Sequence, residues 1–171
     1  MEPRSLTTLT VRALPILLLI VGAFASVEAG AATDKGNPFD QLKGDWTGGG
    51  IVTPSKGGTK KVTCKVSYEV AGNATTQSMV CNGDDYQFDA KTKFKNSGGK
   101  LSGSWNETIY DASGNISGTA GGDTVHARIS GDKFSGRMSI IVSADRHTIN
   151  IVQLDPKTNV YRESAAFVLH R

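Results

Sequence analysis

Apolar side chains recur at every second position along much of the chain after residue 43. The clearest case is residues 62–81, which read VTCKVSYEVAGNATTQSMVC. Successive side chains of a β-strand point to opposite faces, so an alternating run places its apolar members on one face. The first half of this stretch therefore predicts a strand whose inward face is formed by Val62, Cys64, Val66, Tyr68 and Val70.

A two-residue turn, Gly72-Asn73, follows that strand and predicts a hairpin. Glycine is favoured at the first position of a type II′ turn. Counting outward from the turn sets Cys64 directly opposite Cys81 on the inward face. Two cysteines in register predict a disulfide if the chain is exported, and a pair of buried thiols is the alternative.

The same alternation continues to the C-terminus in short runs separated by Gly, Asn and Asp clusters. That pattern is typical of all-β proteins. One apolar face persists through about ten runs connected next to next, and closing such a sheet removes its edges. We therefore predict an all-β, antiparallel up-and-down β-barrel of eight to ten strands, with the last strand beside the first. Glycines on its inner face permit sharp coiling or leave space: Gly48, Gly50, Gly103, Gly118 and Gly136.

The turns between these runs predict which inward side chains lie opposite each other, because each turn fixes the register of its two strands. The predicted pairs include Trp46 with Tyr68, Gln77 with Ala90, Ala90 with Trp105, Phe88 with Glu107, Ile109 with Ile116, and Ile140 with Ile149.

The first 31 residues have the pattern of a secretory signal peptide. Arg4 and Arg12 precede an apolar run at 13–25 (ALPILLLIVGAFA), and small residues follow it. The run is shorter than the roughly 20 residues that span a bilayer, and an uncleaved anchor is the alternative. The predicted organisation is a signal peptide at 1–31, an N-terminal segment with a short helical turn at 32–43, and a β-barrel domain at 44–171. The location is then periplasmic or secreted, with no integral membrane segment after processing.

Charge and motif content argue against several classes of function. The net charge is +3, and the lysines are scattered rather than interleaved with stacking aromatics, which argues against nucleic acid binding. The three histidines have no ligand-like spacing, so we expect no metal site. No serine lies in a nucleophile motif, and phosphate and dinucleotide fingerprints are absent. We therefore expect no enzyme activity and no cofactor.

A short motif, Gly44-Asp45-Trp46, stands at the start of the first predicted strand. It resembles the Gly-x-Trp of the calycin superfamily (lipocalins, fatty-acid-binding proteins, avidins), in which the Trp closes one barrel end. Residues 99–105, GKLSGSW, are similar to avidin strands.

The order of parts along the whole chain resembles a group of small exported proteins of rhizobia and related proteobacteria. That order is GxWxGxG, a Cys on the second strand, a Cys closing the third, then SGxWxE and an ISG strand. The resemblance implies a bacterial periplasmic or secreted location and a calycin-like fold, and it implies no chemistry.

Five inward residues are candidates for a ligand site inside the barrel. Glu107 shares the inward parity of Trp105, and a buried charge is costly unless it lies at the mouth, meets a cation or is protonated. We interpret it as a polar anchor for a ligand, with a rim position as the alternative. Tyr68 and Tyr86 face the same way, with Trp46 and Trp105 as apolar walls. Concave apolar cavities with few polar groups are typical small-molecule sites.

Two functions of different classes follow from this pattern. In the first, the chain is an exported small β-barrel binding protein that holds a small apolar or amphipathic ligand in the barrel. In the second, it is a periplasmic protein-interaction or enzyme-inhibitor module that acts through its loops, 53–60 (TPSKGGTK) or 154–163 (LDPKTNVYRE). The partner is accordingly a small hydrophobic ligand or a periplasmic protein. An internal void of about 300 Å³ or more favours the first function, and a filled interior favours the second.

Overall fold

The computed structural model describes residues 36–55 and 58–171. The predicted signal peptide, residues 1–31, lies outside the described residues. Within the described part there are one short helix and ten strands, and no helix there is long and apolar enough to cross a membrane. The bounds are α1 Pro38–Leu42, β1 Gly44–Val52, β2 Lys60–Ala71, β3 Ala74–Asn82, β4 Gln87–Ser97, β5 Lys100–Glu107, β6 Ala112–Gly121, β7 Thr124–Gly131, β8 Gly136–Val142, β9 Arg146–Asp155 and β10 Val160–His170.

The strands form one closed antiparallel barrel in which each strand pairs with its neighbours in sequence. The circle closes where β1 pairs with β10, and there Gly48 lies opposite Leu169 and Gly50 opposite Phe167. This arrangement confirms the predicted all-β, up-and-down barrel and the pairing of the last strand with the first.

The hairpin of β2 and β3 has the predicted register. Gly72 begins the turn with φ 59°, and Cys64 lies opposite Cys81. The two Cα atoms are 4.1 Å apart and the sulfur atoms are bonded. In an antiparallel sheet, Cα atoms of a non-hydrogen-bonded pair approach to about 4.5 Å, so the register itself brings the cysteines together. The predicted disulfide is confirmed.

The predicted pairing of Ile140 with Ile149 is also confirmed, but several other pairs are wrong by two residues. The structure instead pairs Trp46 with Val66, Gln77 with Thr92, Thr92 with Trp105, and Ala90 with Glu107. In each case the centre of the connecting turn lies one residue away from its predicted position. Such a shift changes the partner of every residue in the two strands by two positions. Because side chains alternate, every residue of these pairs keeps its predicted face.

The turn between β4 and β5 shows why the centre moved. Gly98 and Gly99 form this turn with φ 58° and 84°. Positive φ favours glycine, so the two glycines occupy both turn positions and Ser97 stays in the strand.

The connection between β5 and β6 departs further from prediction. β5 ends at Glu107, and β6 begins opposite it at Ala112. The backbone N–H of Ile109 donates to the Glu107 carboxylate, which turns the chain at this point. The predicted pairing of Ile109 with Ile116 is therefore wrong: Ile109 lies in the turn with 49% of its surface exposed, and Ile116 pairs with Gly103.

Several inner glycines lie where neighbouring strands approach too closely for a side chain. A Cβ on Gly103 would lie 2.0 Å from the carbonyl oxygen of Lys93, and a Cβ on Gly118 would lie 2.0 Å from that of His126. No carbon atom fits at such distances, so these glycines allow the strong coiling that closes the barrel.

The two ends of the barrel differ in how they are covered. At one end, which we call the helix end, α1 lies over the opening with Phe39 and Leu42 fully buried. Phe39 stacks on Phe94, with ring centroids 5.0 Å apart. The opposite end, which we call the loop end, carries the connections 83–86, 108–111, 132–135 and 156–159, together with the β1–β2 connection, of which residues 53–55 and 58–59 are described.

Replacing both cysteines tests how much the disulfide stabilises the barrel. The two residues are separated by 17 positions, and loop entropy gives a stabilisation of about 3 kcal/mol for a loop of that size. We expect the double variant Cys64→Ala, Cys81→Ala to lose about 3 kcal/mol in free energy of unfolding, measured by urea denaturation. A reductant should destabilise the wild-type protein and leave the double variant unchanged. Equal stability of the two proteins without reductant would contradict this prediction.

Candidate functional site

The barrel encloses a cavity that opens at the loop end. Its volume is about 560 Å³, well above the value that separates a ligand-holding barrel from a filled one. Its inner wall is largely apolar and includes Met79, Ile116, Ile129, Met138, Ile149 and Phe167. These side chains come from β3 and β6 to β10, so the wall is built by much of the barrel rather than by one hairpin.

Small inward residues leave this space. Ala90, Ala112 and Ala165 line the cavity, on β4, β6 and β10. An alanine at an inward position leaves unfilled the volume that a leucine or phenylalanine would occupy in a close-packed core. The cavity therefore follows from side-chain size at the loop end of the barrel.

Of the five predicted ligand residues, the structure brings three together and places two elsewhere. Tyr86, Trp105 and Glu107 line the cavity. Trp46 and Tyr68 face inward and are buried, but they lie towards the helix end and do not line it. The ligand-binding role of all five residues stays a prediction.

Trp46, Tyr68 and His147 form a buried cluster at the helix end. Nε1 of Trp46 donates a hydrogen bond to the carbonyl oxygen of Leu42 at 2.6 Å, which holds the indole ring under α1. The His147 ring lies edge-on to Trp46 at a centroid distance of 4.5 Å, and its Nε2 is 3.3 Å from the Tyr68 hydroxyl. Nε2 of Gln77 donates to the same hydroxyl at 2.8 Å. Trp46 thus closes this end, as the Gly-x-Trp resemblance implies.

Burial keeps the titratable groups of this cluster neutral. It raises the pKa of Tyr68 well above its usual value, and the hydrogen bond from Gln77 offsets only part of that rise. Burial also lowers the pKa of His147 from 6.5 to about 4, with smaller contributions from Arg171 and His170. Neither side chain therefore carries a charge near pH 7, and the cluster is a neutral hydrogen-bonded plug.

Glu107 is almost completely buried, at 2% exposure, and its carboxylate is held by backbone groups. Oε1 accepts hydrogen bonds from the N–H groups of Asp89 at 3.0 Å and Ile109 at 3.1 Å. Oε2 accepts one from the N–H of Tyr110 at 2.6 Å. Hydrogen bonds to a carboxylate are stronger than those between neutral groups, so Glu107 fixes the turn that connects β5 to β6.

Charged and aromatic side chains surround the mouth of the cavity. Lys60 forms an ion pair with Asp85. Nζ of Lys133 donates to the carbonyl oxygens of Tyr110 and the following residue at 3.1 and 2.7 Å. The rings of Tyr86 and Tyr110 stack with centroids 5.9 Å apart, and burial, followed by the proximity of Tyr110, raises the pKa of Tyr86 to about 12. Both lysines at the mouth thus already have oxygen partners.

Two polar side chains lie deeper in the cavity, and we call Gln77 and Thr92 the cavity floor. They are direct cross-strand partners on β3 and β4 and both line the cavity. Gln77 is recognisable from the sequence as an inward residue. Thr92 was missed because the predicted register placed Ala90 opposite Gln77. Thr92 lies two residues before Phe94 and therefore shares its inward face, and this is the sequence signal that identifies it.

A second depression, of about 390 Å³, lies on the outer face of the barrel across β6 to β9. It is lined by outward side chains that include Arg128, Arg137 and Asn150, and Arg137 lies over the Tyr161 ring at 4.3 Å. Residues 36–55 and 58–171 contain no group of three or more His, Cys, Asp or Glu side chains placed to hold a metal ion.

The closed ten-stranded antiparallel barrel fits a calycin-like fold. No family model and no curated protein sequence matches the chain. Among solved structures, the chain is similar to Rv2717c of M. tuberculosis, with 13% identity and a TM-score of 0.64 over 77% of this chain and 92% of that protein. It is also similar to the S-type phycobiliprotein lyase CPES of Guillardia theta, with 12% identity and a TM-score of 0.53 over 78% of this chain and 89% of that protein. At these identities the likeness concerns the fold alone.

The variant Glu107→Gln tests whether this carboxylate stabilises the β5–β6 turn. An amide offers one acceptor oxygen in place of two, so at least one backbone N–H loses its partner. We expect a loss of about 2 kcal/mol in free energy of unfolding, measured by urea denaturation. Glu69→Gln, on the exposed face of β2, should change stability by less than about 0.5 kcal/mol. Unchanged stability of Glu107→Gln would contradict this structural role.

Acidification tests the neutral state of His147. The unfolded chain binds a proton on this histidine near pH 6.5, whereas the folded chain resists protonation down to about pH 4. The unfolded state therefore binds more protons in this window, and stability should fall by roughly 2 to 3 kcal/mol as the pH drops through it. The fall should be clearly smaller in His147→Gln and unchanged in His126→Gln, whose histidine faces outward. Identical pH profiles of the wild type and His147→Gln would refute the prediction.

Proposed function

We propose that this protein is an exported binding protein that holds one small, largely apolar ligand inside its barrel. The observation that carries the proposal is the cavity of about 560 Å³ with one mouth at the loop end. Pockets that hold small molecules measure about 300–1,000 Å³, have mostly apolar walls and carry a few placed polar groups.

An empty cavity with apolar walls weakens the barrel, because its lining loses the dispersion contacts that a filled core provides. A ligand with an apolar body restores those contacts and removes its own surface from water. The large alanine-lined space is therefore better explained by an occupant than by a need for stability.

The disulfide supports export. Bonds between cysteines persist in oxidising compartments such as the periplasm and the exterior of the cell. The Cys64–Cys81 bond lies in the core, and both of its residues are fully buried. We propose a periplasmic or secreted location on this basis and on the signal-peptide pattern.

The cavity supports binding more than catalysis. The carboxylate in its wall, Glu107, already accepts three backbone hydrogen bonds. The lysines at the mouth are bound to Asp85 and to carbonyl oxygens. A general acid or base must reach the reacting atom and exchange a proton with it, and these groups are committed to the protein instead.

A cavity-filling variant tests the proposal. Ala165 faces the cavity and Ala166 faces outward, so the pair offers a matched comparison on β10. A neutral fluorescent probe, N-phenyl-1-naphthylamine, should bind the wild-type protein with one molecule per chain. We expect Ala165→Phe to weaken binding at least about tenfold, because the ring fills the site, and Ala166→Phe to leave it unchanged.

Folding must be checked alongside binding. Circular dichroism and the urea midpoint of both variants establish that the barrel is intact. If Ala165→Phe unfolds, Ala112→Leu provides a second, smaller filling of the same cavity. Equal probe binding by intact wild type and filled variants, or no probe binding at all, would reject an internal site.

A further inference from the structure

The barrel interior contains a row of inward side chains whose polar members lie side by side. Tyr68 pairs with Gln77, Gln77 with Thr92, and Thr92 with Trp105, on four successive strands. Directly opposite side chains on one face of a sheet are close enough to interact. The row therefore connects the plug at the helix end to the cavity floor and then to the aromatic wall.

Gln77 uses one end of its side-chain amide within the protein. Its Nε2 donates to the Tyr68 hydroxyl at 2.8 Å, and that hydroxyl lies 3.3 Å from Nε2 of His147. A neutral amide has donors on nitrogen and acceptor positions on oxygen. Because the nitrogen is engaged by the plug, the orientation of the amide is set and Oε1 remains for another partner.

Two polar atoms of the cavity floor have no hydrogen-bond partner among the described residues. Among the hydrogen bonds of residues 36–55 and 58–171, none involves Oε1 of Gln77 or Oγ1 of Thr92. Both side chains are buried, at 6% and 7% exposure, and both line the cavity. The two atoms are not themselves fully buried, so they are reached from the cavity and can bond an occupant that offers a matching hydrogen-bonding group.

The floor offers one acceptor and one hydroxyl, and the floor residues themselves carry no charge. The described cations at the cavity, Lys60 and Lys133, lie at the mouth and already contact oxygen atoms. A carboxylate pushed to the floor would lose its hydration and meet the oxygen of Gln77 without a cation to balance it. A neutral hydroxyl fits both atoms, since its O–H donates to Oε1 and its oxygen accepts from Thr92.

We infer that the ligand is an apolar alcohol that enters with its hydroxyl first, so that Gln77 and Thr92 bind the hydroxyl and the apolar body fills the space towards the mouth. The inference rests on the proposed internal site and specifies its ligand class. It also gives the plug at the helix end a second role, because Tyr68 positions the amide that contacts the ligand.

Displacement of N-phenyl-1-naphthylamine by three compounds of one chain length tests the inference. The compounds are 1-dodecanol, its methyl ether, and dodecanoate, which is ionised near pH 8. We expect the alcohol to displace the probe at a concentration at least about tenfold lower than either of the others. The ether lacks the donated hydrogen bond and the carboxylate carries an uncompensated charge.

Thr92→Val provides the variant, because valine has the shape of threonine without the hydroxyl. This variant should bind the alcohol about tenfold more weakly, and its affinity for the ether and for the probe should be nearly unchanged. Thr63→Val, on the exposed face of β2, should change none of the affinities. A destabilised Thr92→Val protein is recognised by weaker probe binding, and in that case the comparison of the three compounds on the wild type decides alone.

The outcomes separate this inference from the proposed function. Probe binding with equal or stronger displacement by dodecanoate would overturn the alcohol assignment and leave the internal site standing. Alcohol affinity that is unaffected by Thr92→Val in a well-folded protein would also overturn it. If the probe does not bind the wild-type protein, both the internal site and its ligand class are rejected.

Discussion

The pairing of β1 with β10 is the constraint on which the rest of this molecule depends. The two backbones come so close that a Cβ on Gly48 would lie 2.1 Å from the carbonyl oxygen of Val168, and one on Gly50 would lie 2.0 Å from that of Ala166. Glycine at both positions lets the sheet close on itself. Closure pairs the strand edges and converts ten amphipathic strands into one interior with two ends. The cavity, the plug and the mouth are all parts of this closed interior and depend on it.

The two ends of that interior are packed differently. The helix end is filled by large side chains, with Phe39 and Leu42 of α1 pointing inward and Trp46 against His147. The loop end instead places alanines at inward positions, so its walls do not meet. A filled end provides the close packing that stabilises a small barrel, and this allows the other end to remain open. The close-packed part of the core and the cavity are thus separated along the barrel axis.

Alternation in the sequence predicted the faces of the strands, and the structure shows why that prediction is robust. A turn placed one residue too early or too late shifts each pair by two and leaves every side chain of the two strands on its face, so the barrel class followed from parity. The Cys64–Cys81 disulfide required in addition the correct centre of the Gly72-Asn73 turn. The depth of a residue along the barrel axis did not follow from parity. Trp46 and Tyr68 share the inward parity of Trp105, yet they lie near the helix end, because parity carries no information on how far along the axis a residue lies. Thr92 was missed for the related reason that its partner depended on the exact turn.

The row of side chains from Tyr68 to Trp105 links the two ends of the barrel, and it bears on the specificity of the proposed site. Apolar walls discriminate weakly between ligands, because an added or missing methylene changes binding only modestly. A hydrogen-bonding pair inside such walls discriminates strongly, since a ligand without the matching group leaves buried polar atoms unpaired. That pair must be rigid to act in this way, and the bond from Gln77 to Tyr68 anchors it to the filled end of the barrel. In the proposed function, the well-packed plug therefore does more than close the barrel: it holds in place the amide that would distinguish one apolar ligand from another.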